Sequence, residues 1–183
     1  MNYYQKILDR VKEYQAQSIS EKKSKKKIIH FILNNQKNIG RENSAGHLTA
    51  SAWIVNNERD KVLLHQHLSL NKWIQLGGHL EADETVKEAA LREAREESGL
   101  DSLAFLYKNI FDIDHHLIPV NNNQAEHFHY DIRYLLEADS KEELEKSRES
   151  VNLKWLEFNE VEKYVSEESV LRMLRKTKEY KED

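Results

Sequence analysis

Three glutamates, Glu93, Glu96 and Glu97, stand at i, i+3 and i+4, a spacing that places their carboxylates on one face of a helix. Like charges so close repel one another, and a fold keeps them together when a cation neutralises them. Hard oxygen donors near a glycine turn, here Gly77–Gly78, suit Mg²⁺ or Mn²⁺ carried in with a phosphate substrate. The segment around them, GHLEADETVKEAALREAREESGL from Gly78 to Leu100, has the punctuation of loop, helix and stop. The spacing predicts a helix starting near Glu84, with Thr85 and Glu88 as a capping box. Val86, Ala90, Leu91 and Ala94 form its apolar stripe, and Gly99 is placed to cap its C-terminus.

As a pattern the segment reads G-x5-E-x7-R-E-U-x-E-E-x-G-U, filled by Gly78, Glu84, Arg92, Glu93, Glu96, Glu97 and Gly99. In these residues the chain resembles the Nudix hydrolase family. The one departure is Ala94, where the family carries a larger aliphatic residue, and slightly looser packing is expected there. An ordinary acidic amphipathic helix is the competing reading, and it leaves every filled position to coincidence. The resemblance implies a Nudix-type α/β/α sandwich with a mixed sheet, over about residues 47–180. It implies a divalent-metal-dependent hydrolase, using Mg²⁺ or in its place Mn²⁺, that cleaves the pyrophosphate linkage of a nucleoside diphosphate derivative. The substrate classes are an NDP-sugar, ADP-ribose, a dinucleoside polyphosphate or a related nucleotide.

By the same resemblance, Glu96 and Glu97 are direct metal ligands, Glu93 a ligand or water activator, and the Gly77 carbonyl a further ligand. Glu84 and Arg92 are expected to hold the loop–helix–loop in shape, with Arg92 pointing away from the carboxylates. The family also takes a ligand or base from outside this segment, and Glu126 is the first candidate, followed by His127 and His129. Two other classes compete. A non-catalytic nucleotide sensor on the same fold usually loses these glutamates, and none is lost here. The isopentenyl-diphosphate isomerases of this fold rely on a catalytic cysteine, and the chain has none.

The segment QAEHFHYDIRYLL (124–136) is the second informative stretch. On a strand, Phe128, Tyr130, Ile132 and Tyr134 share one face and His127, His129, Asp131 and Arg133 the other. So polar a face is either a pocket lining or the outer side of an edge strand. Eight of the nine histidines fall between 47 and 129. Zinc held by three of them is conceivable, but no HExxH spacing occurs, and substrate hydrogen-bonders or surface histidines are the preferred reading. His79, next to the glycine pair, is placed to reach a substrate phosphate. Trp73 and Tyr130 can stack on a base and Arg133 can pair with a phosphate; for Trp73, core packing is the alternative. Trp53 and Trp155 read as core.

Other elements position these groups. Residues 3–38 read as two helices, the second capped by Ser20 and bearing Lys22, Lys23, Lys25, Lys26 and Lys27 as a solvated face or a phosphate-attracting patch. His47–Val55 and Lys61–Leu68 read as antiparallel strands about the turn 56–60. Ala104–Ile118, His127–Leu136 and Leu153–Glu157 read as further strands. Asn159 with Glu162 suggests a short capped turn of helix, and Ser166 caps a last helix with Val170, Leu171 and Leu174 inward. The division expected is an N-terminal helical extension, 1–40, and one hydrolase domain, 41–183. Two short amphipathic helices seldom stay folded alone, so the extension is expected to cap the pocket or to form a homodimer contact.

Bulk composition agrees. The 183 residues carry a net charge of −4, distributed unevenly. Residues 1–41 hold ten Lys+Arg against three Asp+Glu, and residues 42–136 hold eight against fifteen. The acidic centre fits cation binding and argues against a stable nucleic-acid partner. Without cysteine, disulfides and thiolate chemistry are excluded. Low hydropathy, no long apolar run and no signal-peptide core place the expected protein in the cytoplasm, away from membranes.

Overall fold

The structure is a computed structural model that describes residues 3–36, 38–82, 84–120 and 125–180. Its elements in order are α1 (Tyr3–Glu13), α2 (Ile19–Asn34), β1 (Gly46–Asn56), β2 (Lys61–His67), β3 (Lys72–Ile74), β4 (Leu76–His79), α3 (Val86–Ser98), β5 (Ala104–Phe105), β6 (Asp112–Ile118), β7 (His127–Ala138), β8 (Ser150–Glu157), α4 (Val161–Tyr164) and α5 (Glu168–Glu179). The fold is α/β, as expected, with a mixed sheet. Among the described residues eight strands pair in the order β3-β2-β1-β7-β5, with β4 also on β1, β6 on β7 and β8 on β2. Contacts gather the chain into two compact units.

The first unit comprises residues 1–51, 77–90 and 107–134. Its helices α1 and α2 bury Ile7, Leu8 and Val11, then Ile28, Phe31 and Ile32, within the chain itself. The α2 cap is Ser18, not Ser20: the Ser18 hydroxyl accepts from Glu21 N at 3.1 Å, and Ser18 N donates to Glu21 Oε2 at 2.7 Å. Ser18-x-x-Glu21 is a full capping box, whereas Ser20 has Lys23 three residues on and no acid to answer it. Of the lysine row, Lys22, Lys23, Lys26 and Lys27 are exposed, while Lys25 donates to the carbonyls of Lys12 and Tyr14 at 2.6 and 2.7 Å and so satisfies the open end of α1.

In the same unit β6 and β7 pair antiparallel from Asp112↔Arg133 to Ile118↔His127. The strand expected over Ala104–Ile118 is interrupted: β5 and β6 are separated by irregular backbone over 106–111, bent at 106–109. The edge-strand reading of β7 fails too, because β7 has neighbours on both sides in the sheet and its polar residues Asp131 and Arg133 are both 2 % exposed. The opposite face meets α2, where Phe31 stacks on Tyr130 with ring centroids 4.2 Å apart.

The second unit comprises residues 52–76, 91–106 and 135–183. Here β2 pairs antiparallel with the end of β1 (Ile54↔Leu63), with β3 and with β8, the last with a register irregularity between Gln66 and His67. Trp53 is fully buried and its indole donates to Thr177 Oγ1 at 2.8 Å, fixing α5. Helix α5 buries Val170, Met173 and Leu174, while Leu171 is only half-buried; full burial of one such aliphatic side chain stabilises by about 1.5–3 kcal/mol. Neither Ser166 nor Asn159 is a cap: the cap positions of α5 and α4 fall on Glu167 and Glu160, without side-chain cap bonds. Trp155 is half-buried, not core.

Candidate active site

Helix α3 is built as its sequence dictates. Thr85 and Glu88 close the capping box, with Thr85 N to Glu88 Oε2 at 2.8 Å and Glu88 N to Thr85 Oγ1 at 3.2 Å. Val86, Ala89, Ala90 and Ala94 are buried, whereas Leu91 is half-buried, so Ala89 takes its place in the stripe. At the far end Gly99 adopts φ +73° and donates to Arg95 O at 2.8 Å. A Cβ there would lie 2.6 Å from Glu145 Cβ. The stop is thus set by backbone conformation and by space.

The second half of α3 carries the glutamates. Glu97 is 5 % exposed. Its Oε1 lies 3.7 Å from His65 Nδ1, which is 2.7 Å from Ser150 Oγ. Burial, and then His67, push His65 down to about 4, so at neutral pH this contact sets a neutral imidazole against a carboxylate. Glu96 is the exposed member and Glu93 the half-buried one. Arg92 does not point away: its Nη1 reaches Glu93 Oε1 at 3.0 Å and Glu96 Oε2 at 3.2 Å. Glu93 is pushed up, first by burial, against the Arg92 hydrogen bond, and further by Glu96 and Glu149.

Upstream, in the first unit, Gly77 stands at φ +154°. A Cβ on it would fall 2.5 Å from Ala50 O and 2.6 Å from Ser51 Cα, so this backbone passes β1 where only glycine fits. Glu84 precedes α3; its Oε2 accepts from Glu81 N at 3.1 Å and its carbonyl accepts from Tyr3 OH at 2.6 Å. Asp83 lies outside the described residues.

The polar face of β7 is a worked interior. Arg133 Nε donates to Asp131 Oδ2 at 2.7 Å, and its two terminal nitrogens stand 3.3 Å from Asp112 and 3.4 Å from Asp114. Thr49 and Ser51 on β1 donate to Asp131 Oδ1 at 3.0 and 2.8 Å. Burial opposes the Arg133 charge, but Asp131, Asp114 and Asp112 outweigh it and hold the guanidinium firmly protonated. Its donors are thereby committed to carboxylates.

Beside this network four histidines converge. His47 Nε2 lies 2.9 Å from His79 Nε2, and His127 Nε2 lies 3.2 Å from His129 Nε2. Burial leads in lowering His47 and His79 to about 4 and His129 to about 2, with neighbouring imidazoles adding to it. A neutral His79 ring can meet a phosphate only by an ordinary hydrogen bond, without the attraction of a full charge. His47 was not singled out in the sequence, although its register on β1 beside Thr49 and Ser51 was the available signal. Glu126 is exposed at the foot of β7, and Trp73 on β3 is half-buried. Trp73 meets Tyr164 edge-on at 5.5 Å, with Lys154 Nζ 5.7 Å from its ring.

Comparison with known proteins gives the family. The NUDIX domain model matches residues 46–175. Over 139 residues the chain is 30 % identical to a probable DHNTP pyrophosphohydrolase of Lactococcus lactis subsp. cremoris, spanning 74 % of this chain and 80 % of that relative. A NUDIX-family hydrolase from Clostridium perfringens superposes with a TM-score of 0.56 at 29 % identity, over 74 % of this chain and 97 % of the other. The Ap4A hydrolase of C. elegans superposes with a TM-score of 0.58 at 20 % identity, over 72 % and 95 %, a likeness of fold alone. The chain belongs to the Nudix hydrolase family. Within that family it stands as a pyrophosphohydrolase, an enzyme acting on acid anhydrides.

Proposed function

We propose that the chain hydrolyses the pyrophosphate linkage of a nucleotide or related polyphosphate with Mg²⁺, or Mn²⁺ in its place, held by Glu93, Glu96 and Glu97. One observation carries the reading: three carboxylates occupy the C-terminal half of α3, one nearly buried and one pushed toward its protonated form by burial. All are hard oxygen donors, three carboxylates of which the single guanidinium of Arg92 meets Glu93 and Glu96, a donor set that fits a hard divalent ion.

When bound, the metal supplies neutralisation of charge on the phosphoryl oxygens and a more acidic water. The protein's own part is positional and protolytic. Glu93, held closer to protonation than an exposed glutamate, accepts a proton from the attacking water. The water oxygen bonds to phosphorus, and the phosphorus–oxygen bond to the leaving phosphate breaks. Arg92 spans Glu93 and Glu96 and fixes their rotamers. Glu84 holds the preceding loop, and Trp73 with Lys154 offers a ring and a cation to a base and its phosphate.

The substrate is a nucleoside diphosphate derivative, or a triphosphate such as the DHNTP named for the Lactococcus relative. We place the enzyme in the cytoplasm; among the described residues no helix is long and apolar enough to cross a membrane. We keep residues 1–40 as an extension of the hydrolase domain, and a homodimer as its assembly. The test is turnover of DHNTP, Ap4A, ADP-ribose, an NDP-sugar and nucleoside triphosphates with Mg²⁺ and then Mn²⁺, the phosphorus products identifying the bond broken. Turnover of one class with release of inorganic phosphate or pyrophosphate supports the reading, and turnover undiminished by chelator overturns it.

A further inference from the structure

We propose that His47, His127 and His129, completed by His79, bind one divalent ion of the borderline transition-metal class, Zn²⁺ foremost, as a structural clip across β1, β4 and β7. The proposal differs from the hydrolase reading in its donors, imidazole nitrogens in place of the carboxylates of α3.

Convergence comes first. One ring nitrogen from each of His47, His127 and His129 can be chosen so that all lie within 4.8 Å of one another. In a tetrahedral zinc site with arms of about 2.0–2.1 Å, neighbouring nitrogens stand about 3.3–3.4 Å apart. His127 Nε2 and His129 Nε2 are 3.2 Å apart already, and His79 Nε2 lies 2.9 Å from His47 Nε2. Two nitrogen pairs thus already stand near that separation, and the three-histidine group lies within 4.8 Å.

Orientation comes second. His127 Nδ1 lies 2.7 Å from the carbonyl of Ala125. Donation to that carbonyl leaves the Nε2 lone pair facing His129, the second contact by which metal-bound histidines are commonly aimed. His127 and His129 are two apart on one strand and therefore share a face. His79 follows the Gly77 backbone, whose course beside β1 admits no Cβ.

Chemistry comes third. Where two imidazole nitrogens meet, one donates the shared proton and the other presents a lone pair, and a change of tautomer turns the donor nitrogen into a second lone pair. A cation satisfies all the lone pairs at once. The cluster holds no carboxylate and the chain no cysteine, and nitrogen-only sets suit Zn²⁺, Ni²⁺ and Cu²⁺ and do not suit Mg²⁺. His47, His127 and His129 supply three imidazoles, and His79, which stands beside His47 but outside that group, would turn in as the fourth and close the site, as structural zinc sites are closed.

The experiment uses the untagged full chain, stripped of metal, with Zn²⁺ titrated against a chromophoric chelator in excess Mg²⁺. We expect one Zn²⁺ per chain, a raised melting temperature, and the same binding in Glu97→Gln. His47→Gln and His129→Gln should each weaken Zn²⁺ by at least about tenfold, the loss that removal of even an outer partner brings. Should those variants not fold, histidine-selective NMR of the wild-type chain decides: Zn²⁺ must shift His47, His79, His127 and His129 and spare His30 and His67. Absence of stoichiometric Zn²⁺, unchanged affinity in a folded histidine variant, binding abolished by Glu97→Gln, or shifts confined to other histidines would each overturn the proposal.

Discussion

The phenol of Tyr3 donates to the backbone carbonyl of Glu84 at 2.6 Å. A residue of the first helix thereby holds the loop that leads into α3, and Glu84 serves that loop twice, since its carboxylate accepts from Glu81 N. The bond is part-buried and neutral, so Tyr3→Phe should cost about 1 kcal/mol. Equilibrium urea unfolding checks this, and a variant as stable as the wild type would show that the tie contributes nothing.

Alkaline pH probes the same region. Burial pushes Tyr3 up to about 12, with Glu84 and Tyr4 adding to it, and burial likewise pushes Tyr134 up to about 12. Both folded values lie above the ordinary 10.0. The unfolded chain therefore loses these protons first. The stability they contribute is complete below pH 10 and is lost as pH rises toward about 12. Tyr134→Phe should flatten that decline. If urea midpoints of wild type and variant run parallel from pH 9 to pH 12, the prediction fails.

Arg133 holds Asp131, Asp112 and Asp114 together in the interior. Arg133→Met keeps much of the volume and removes the charge, leaving Asp112, 0 % exposed, and Asp131, 2 % exposed, without their cation. Breaking such a buried network costs about 3–5 kcal/mol. Arg133→Lys recovers little, because an ammonium cannot span the same fork. Chemical denaturation of both variants measures it, and a loss below about 1 kcal/mol for Met would contradict the assignment.

What the sequence disclosed depended on range. Helix α3, its capping box and its Gly99 stop were legible because the capping partners lie within four residues, whereas the crowding of Gly99 by Glu145 was not. The Ser18 cap was equally local, and weighing Glu21 against Lys23 as the third residue on would have selected it. The purpose of Arg133 was not legible, since Asp112 reaches it only through the β6–β7 register, across 21 residues. His47 met His127 and His129 for the same reason: alternation shows which face a side chain takes, never what stands opposite. The break at 106–111 escaped because Ala104–Ile118 carries no proline or glycine to announce it.

Gly77 makes a sharp backbone prediction. Gly77→Ala brings a Cβ within 2.5 Å of Ala50 O at φ +154°, a strain of about 1–3 kcal/mol or more. Gly40→Ala is the control, since nothing lies within 4 Å of its Cβ. Thermal unfolding should separate the two variants clearly; equal melting temperatures would refute the close approach.

The central claim is that the α3 carboxylates perform the hydrolysis. Its most direct test is steady-state turnover by wild type and Glu97→Gln under saturating Mg²⁺, on whichever polyphosphate the wild type cleaves fastest. Glutamine keeps the size of Glu97 and removes its charge. The account predicts a fall in kcat of about 10²–10³-fold, the loss typical of one transition-state electrostatic contact, with the circular dichroism spectrum unchanged. Full turnover in a folded Glu97→Gln chain would contradict it.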